Sequence, residues 1–223
     1  MVKKMSGIVK LKDQYVFFEE AEVRKLLDKL ENPPKIDNRE LLHIALSEDY
    51  NGGQVFLDKH AQKLIKKWLK EDKVKVPKKL LATLRPYQQR GYAWMYKNAR
   101  LGFGSVIADD MGLGKTIQVI ATILKLKEDK QFTDKKGLVV VPTTLLTNWE
   151  KEIAKFAPSI QTHIYHGPKR QLATDNTDLI ITTYGTARSD VAKINKHKWS
   201  MLVIDEAQNI KNPSTAQSKA IRK

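Results

Sequence analysis

Two hydrophobic patterns run along this chain, apolar residues at helical spacing and short unbroken apolar runs, and their arrangement changes near Leu80. Before that point, Val9 to Phe18 holds two strand-like pieces around Asp13-Gln14, and Glu19 to Leu30 sets Val23, Leu26, Leu27 and Leu30 at helical spacing. Pro33-Pro34 stops that helix, and Asn38 is placed to cap a second, whose stripe is Leu41, Leu42, Ile44 and Ala45. Asn51-Gly52-Gly53 predicts a turn. Leu57 to Leu69 predicts a third helix, with Ala61, Leu64, Ile65, Trp68 and Leu69 on its apolar face and Lys59, Lys63, Lys66, Lys67 and Lys70 around it. That basic face suits nucleic acid or plain solvent equally. Charged Glu71 to Lys79, with Pro77 inside it, predicts a linker. Residues 1–79 thus form a small, mainly helical appendage without recognisable chemistry. It opens in mid-pattern, as a piece of a longer chain would.

From Leu80 helices and apolar runs alternate. Pro86 suits the first position of a helix over Tyr87 to Asn98, and a strand at Ser105 to Ala108 leads through a turn into a helix ending near Lys125. A strand at Leu138 to Val141 and a helix from Leu145 to Phe156 follow. Strands come next at Ile160 to Tyr165 and Leu179 to Thr182, then a helix from Tyr184 to Ile194 and a strand at Met201 to Ile204. Such alternation predicts an α/β domain over residues 80–223, a mostly parallel sheet flanked by helices, with ligands at the carboxyl ends of its strands.

Chemistry concentrates in two stretches. In Ser105 to Gln118 (SVIADDMGLGKTIQ) an apolar run empties into a turn with Gly112 and Gly114, and Lys115 and Thr116 open the next helix. Glycines let a backbone bend with its N–H groups turned inward, and a helix start adds positive potential where phosphates sit. Lys115 would reach the β and γ phosphates, and the Thr116 hydroxyl would take a position on Mg²⁺. Asp109 stands where the usual G-x-x-x-x-G-K-[ST] pattern has its first Gly, so an ordinary glycine turn is the alternative. Downstream, the run Met201 to Ile204 ends in Asp205 and Glu206, whose side chains leave a strand on opposite sides and can do different work. Asp205 would hold Mg²⁺ through water and Glu206 would orient or deprotonate an attacking water.

Composition narrows the partners. The 223 residues carry a formal charge of +15, which favours a polyanion, nucleic acid before an anionic membrane surface. There is no cysteine, which excludes disulfides, thiolate metal sites and thiol catalysis. His43, His60, His163, His166 and His197 show no metal-ligand spacing. No apolar run approaches the roughly 18 residues of a membrane span, and a cytoplasmic, nucleoid-associated protein is expected.

Four stretches in order, LRPYQQRGYAW from Leu84, ADDMGLGKTIQ from Ala108, VVPTTLLTNWEKEIAKF from Val140 and VIDEAQNIKNP from Val203, resemble the opening motifs of the Swi/Snf family of helicase-superfamily-two ATPases. Within that family they resemble most the bacterial members, which carry a helicase-associated region ahead of the motor. The resemblance is close from about Leu80 and vague before it. It absorbs Asp109, because the family places an acidic pair before the Met-Gly-Leu-Gly loop. It implies the first of two RecA-like lobes of a motor driven by ATP and Mg²⁺ along double-stranded DNA, with RNA as the other possible track and the displaced protein unspecified.

Residue by residue, the resemblance implies that Gln88 reads the adenine edge and that Asp110, Met111, Gly112, Leu113, Gly114, Lys115 and Thr116 cradle the phosphates. It implies Thr116 and Asp205 at the metal, and Lys115 and Glu206 in hydrolysis. Gln208 replaces the His common in the four-residue acidic motif, a variant that leaves hydrolysis intact. Pro142, Thr143 and Thr144, and then Thr182, Thr183 and Tyr184, match motifs that contact the nucleic-acid backbone, where hydroxyls and loop N–H groups suit phosphates without reading sequence. Trp149 and Phe156 are expected to pack their helix on the sheet rather than stack on bases. The family's third motif and its second lobe, which supplies arginines worth about 10³ to 10⁵ in rate in related systems, are absent from these residues. The fragment is therefore expected to bind ATP weakly and hydrolyse little. The third-motif strand would lie between the Lys115 and Asp205 strands, so its absence predicts a perturbed or disordered region near Asp205, or a fill from another copy. Two other readings share these residues: a strand-separating helicase of a sister family, and a non-hydrolysing nucleotide- or DNA-binding module.

Overall fold

A computed structural model describes residues 7–11, 14–18, 21, 24, 28, 31–32, 36–47, 49–50, 53–70, 74–110, 112–131, 136–172 and 175–222. The chain forms two compact units, Met1–Leu69 and Lys70–Lys223.

In the first unit, β1 (Gly7–Leu11) and β2 (Gln14–Phe18) pair antiparallel, with Gly7 opposite Phe18 and Leu11 opposite Gln14. Helix α1 (Asn38–Ser47) is capped one residue earlier than expected: Asp37 Oδ1 accepts the Glu40 N–H at 2.8 Å, satisfying a donor the first helical turn leaves over. A short hairpin of β3 (Asp49–Tyr50) and β4 (Gly53–Gln54) leads to α2 (Lys59–Leu69), capped in the same way by Asp58 Oδ1 at 2.7 Å from the Ala61 N–H. Ile44 and Ile65 are buried, and the lysines of the expected basic face are exposed. The stripe Val23, Leu26, Leu27 and Leu30 lies outside the described residues, as do Pro33-Pro34 and Asn51-Gly52. The appendage thus carries two hairpins beside its helices.

The second unit contains α3 (Pro86–Leu101), α4 (Lys115–Glu128), β5 (Lys136–Val141), α5 (Leu146–Phe156), β6 (Thr162–Tyr165) and β7 (Leu179–Thr183). It continues with α6 (Tyr184–Ser189), α7 (Val191–Ile194), β8 (Trp199–Ile204) and α8 (Ala216–Ile221). The four strands are parallel in the order β6-β7-β5-β8. Side chains alternate across the sheet, and that alternation builds two cores. Val139, Val141, Leu179 and Ile181 meet α3, α4 and α5 on one face, while Leu138, Val140 and Ile180 meet Tyr184, Ala187 and Ile194 on the other. Burial on both faces explains why β5 and β7 read as continuous apolar runs.

Three expectations are corrected here. Ser105 to Ala108 is not a strand: it runs from α3 to the glycine turn without pairing, and Val106 is 79% exposed. The outer edge of β8 has no partner among the described residues, and Leu202 on it is 45% exposed. A strand forms only where a neighbour takes its N–H and C=O groups, and the slot between these two stretches is not filled by any described segment. The missing neighbour thus shows at two places, the outer edge of β8 and this entry to the turn.

The charged linker is also part of the domain. Val74, Val76, Leu80 and Leu84 pack on the core, Tyr92 donates to the Lys75 carbonyl at 2.9 Å, and the Lys79 N–H donates to Glu128 at 3.0 Å. Alternating valines between lysines supply the apolar contacts that the charge density hid.

The third correction is the helix from Tyr184 to Ile194, which breaks at Asp190, where φ is −112° and ψ 22°. The Asp190 carboxylate accepts Tyr165 OH at 2.5 Å and the Arg170 guanidinium at 2.7 and 3.1 Å, and these bonds to the β6 side hold its backbone out of helical geometry. The Arg170 hydrogen bond, followed by that from Tyr165, draws the Asp190 pKa down to about 2 from 3.8. A depressed carboxylate stabilises the fold above its unfolded pKa and loses that contribution as pH falls through its folded pKa. Asp190→Asn should therefore lower the melting temperature by several degrees at pH 7, and the gap from the parent should close between pH 4 and pH 2. Thermal melts of both proteins across that range measure it, and a gap independent of pH would contradict it.

Candidate nucleotide site and nucleic-acid face

The turn before α4 is built from backbone that only glycine adopts freely: φ is 82° at Gly112 and 71° at Gly114, the residue before the first helical turn. Two donors from α3 hold it. Tyr87 OH and Gln88 Nε2 each donate to the Leu113 carbonyl at 3.1 Å, while Gln88 Oε1 accepts the Arg85 N–H at 2.9 Å. Gln88 is buried, yet an amide has two N–H groups and two lone-pair sites, so one of each remains. The contact is close enough that a Cβ on Gly114 would stand 2.5 Å from Gln88 Nε2. From inside α4, Gln118 Nε2 donates back to the Gly114 carbonyl at 3.3 Å.

Lys115 Nζ donates to the carbonyls of Asp109 at 2.7 Å and Asp110 at 3.1 Å, folding its ammonium over the turn. Thr116 is partly exposed in the first turn of the helix, and Met111 lies outside the described residues. An exposed glycine turn with a helix start behind it and an ammonium on a flexible stem over it is the donor set a polyphosphate needs. Beside it, a cleft of about 300 Å³ opens between α3 and the unpaired entry, lined by Tyr87, Arg90, Trp94, Val106, Asp109 and Gln118.

The acidic doublet follows β8. The Asp205 N–H donates to the Val140 carbonyl at 2.9 Å, continuing the sheet by one rung. Asp205 Oδ1 accepts the Glu206 N–H at 2.9 Å and Oδ2 accepts the Trp149 indole N–H at 2.8 Å. Each carboxylate oxygen keeps a lone pair, which fits an outer-sphere contact to a phosphate-bound Mg²⁺. Among the described residues no three His, Asp or Glu groups converge as a metal cage.

Glu206 has φ 53° and ψ 53°, a left-handed conformation that costs a non-glycine residue on the order of 1–3 kcal/mol. Its carboxylate accepts the Gln208 amide, and its carbonyl accepts the Asn209 side chain at 2.9 Å. Gln208 thus orients the Glu206 carboxylate.

Of the nucleic-acid residues, Thr143 and Thr144 are exposed in a short 3-10 turn at the carboxyl end of β5, closed by the Leu145 N–H on the Pro142 carbonyl at 2.9 Å. Thr182, Thr183 and Tyr184 are different: they are 0, 2 and 5% exposed and their hydroxyls are spent inside the protein. Thr182 donates to the Tyr165 carbonyl at 2.8 Å, Thr183 donates to Thr186 Oγ1 at 3.0 Å and caps α6, and Tyr184 donates to the carbonyls of Asp205 and Glu206. These hydroxyls do not face a phosphate. At that end of β7, Gly185, Arg188 and Ser189 are the exposed residues. Trp149, 2% exposed, packs as expected, but its bond to Asp205 was not legible in the sequence, nor was the role of Tyr87.

Residues 87–223 match the model of the SNF2-related domain. The chain belongs to this family. The SNF2-related region is 40% identical to the SWI2/SNF2 ATPase core of Sulfolobus solfataricus solved in complex with dsDNA, with a TM-score of 0.62 over 67% of this chain and 31% of that one. The same Sulfolobus core solved as the ATPase domain gives 41% identity and a TM-score of 0.61, over 68% of this chain and 31% of that one. The parallel sheet flanked by helices is therefore the RecA-like lobe of such a core. Among curated proteins, the putative ATP-dependent helicase/translocase YwqA of Bacillus subtilis is 40% identical over 184 residues, 78% of this chain and 20% of that protein. Helicase SWR1 of Debaryomyces hansenii is 33% identical over 196 residues, 84% of this chain and 11% of that protein. The SNF2-related chain thus spans about a fifth or less of these curated relatives.

Proposed function

We propose that the chain is the nucleotide-binding lobe of an ATP-driven motor that tracks along double-stranded DNA and displaces or remodels what is bound there. The observation that carries this reading is its likeness, at 40% identity, to an ATPase core solved on duplex DNA. The turn at Gly112 to Thr116 takes the triphosphate, with Lys115 moving from the Asp109 and Asp110 carbonyls onto phosphate oxygens as ATP arrives. Gln88 reads the adenine edge with its remaining N–H and lone pair, so that base recognition and the Leu113 carbonyl share one side chain. Mg²⁺ would be held by the Thr116 hydroxyl and, through water, by Asp205, and would supply positive charge against the transferring phosphoryl group. Glu206, steered by Gln208, takes the proton of the attacking water. Thr143 and Thr144 contact the nucleic-acid backbone with the exposed residues of α6. The reading places the protein in the cytoplasm, at the nucleoid, and gives the isolated chain weak ATP binding and little turnover, because the transition-state arginines belong to a second lobe.

Steady-state hydrolysis by the full-length protein, with duplex DNA, duplex RNA, single strands or none, tests it. Duplex DNA should stimulate hydrolysis without strand separation; unwinding would move the assignment to a sister helicase, and no hydrolysis at all would leave a docking module.

For the 223-residue chain alone, a charge of +15 makes phosphate contacts the main source of duplex affinity. Each phosphate contact contributes about −0.9 to the slope of log affinity against log salt, so binding should weaken steeply from low to physiological salt. A fluorescence-anisotropy titration at several salt concentrations measures the slope, and a flat line would contradict it.

A further inference from the structure

Two neutral donors outside the acidic doublet reach into it, one from each of the two elements that begin at the candidate nucleic-acid face. Trp149 lies in the first turn of α5, directly after the exposed Thr143 and Thr144, and its indole N–H donates to Asp205 Oδ2 at 2.8 Å. Tyr184 is the first residue of α6, beside exposed Gly185, and its hydroxyl donates to the Asp205 carbonyl and, at 3.3 Å, to that of Glu206. We propose that Trp149 and Tyr184 are positioning residues that hold the Asp205–Glu206 doublet and transmit to it the docking of duplex on the exposed turn preceding α5 and on the exposed residues of α6. The inference rests on the duplex-driven motor reading.

Two features support it. Glu206 sits in left-handed backbone, and such a residue persists only where its surroundings over-determine it. Here the surroundings include the Tyr184 hydroxyl on the carbonyls of Asp205 and Glu206, either side of the Glu206 Cα. Both donors are rigid: Trp149 is 2% and Tyr184 5% exposed, each locked in a different core on opposite faces of the sheet. A displacement of either helix start by a bound phosphate therefore carries its donor along, and the doublet moves with it.

The test is the steady-state ATPase of the full-length protein with saturating duplex and without it, for the parent, Trp149→Phe and Tyr184→Phe. Tyr184→Phe removes a single oxygen and keeps the ring, so it reports even if the tryptophan variant folds poorly. Each variant should lose about tenfold in duplex-stimulated kcat, within the range for one lost hydrogen bond, to a carboxylate for Trp149 and to backbone carbonyls for Tyr184, with KM for ATP little changed. The ratio of stimulated to unstimulated rate should fall with it. Variants with the parent's ratio, or with both rates lowered equally, overturn the inference while the motor reading stands. A parent enzyme that hydrolyses ATP without response to duplex overturns both.

Discussion

Lys115→Ala is expected to leave the full-length protein folded and to reduce its ATP turnover by at least about 10²–10³, the range for removing one preorganised charge-stabilising donor. In the structure the ammonium has two backbone partners, the carbonyls of Asp109 and Asp110, and packs in neither core. Its loss therefore costs little to the fold. What disappears is a cation on a flexible stem over an exposed turn, where charge accumulates on the γ phosphate during transfer. Nucleotide affinity should fall too, because the same ammonium contacts the ground state. Rates with saturating duplex, next to a melting curve, separate the two effects. If the variant retains robust turnover, neither the phosphate loop nor the motor assignment survives.

Glu206→Gln should separate binding from chemistry. The amide keeps the volume of the side chain and an oxygen for Gln208 to bond, but it cannot accept a proton from water. Hydrolysis is expected to drop by about 10²–10⁴, the contribution of a positioned general base, while ATP affinity stays close to the parent value. Single-turnover hydrolysis with an equilibrium nucleotide titration shows it. Parent-like single-turnover rates would remove Glu206 from the reaction and leave water activation to another group.

The difference between the two variants mirrors how the site was legible. The glycine turn and the helix that Lys115 and Thr116 open could be read directly, because both depend on backbone torsion and on residues adjacent in sequence. Asp205 and Glu206 were legible for a similar reason: an apolar run ending in two acids is a local pattern. Thr182, Thr183 and Tyr184 matched a motif as letters, yet the direction of a hydroxyl depends on what packs around it. Here Tyr165, Thr186 and the doublet's own carbonyls claim all three. Trp149 shows the converse. An indole on an apolar stripe reads as core, and only the parallel pairing of β5 with β8 brings it to a carboxylate 56 residues away.

The chain's own letters determined most of the elements and their order, the glycine turn, the positions of the acids and the excess of positive charge. All of these follow from torsional preference, hydrophobic period and composition within a few residues. Tertiary structure alone decided that Ser105 to Ala108 lacks a strand partner, that the charged stretch at Val74 to Lys79 lies on the core, and that Asp190 interrupts a helix. It also decided which hydroxyls are spent inside. Each of these depends on a hydrogen-bond partner or an apolar surface distant in sequence, and a hydrogen bond is assigned only when both of its ends are in place.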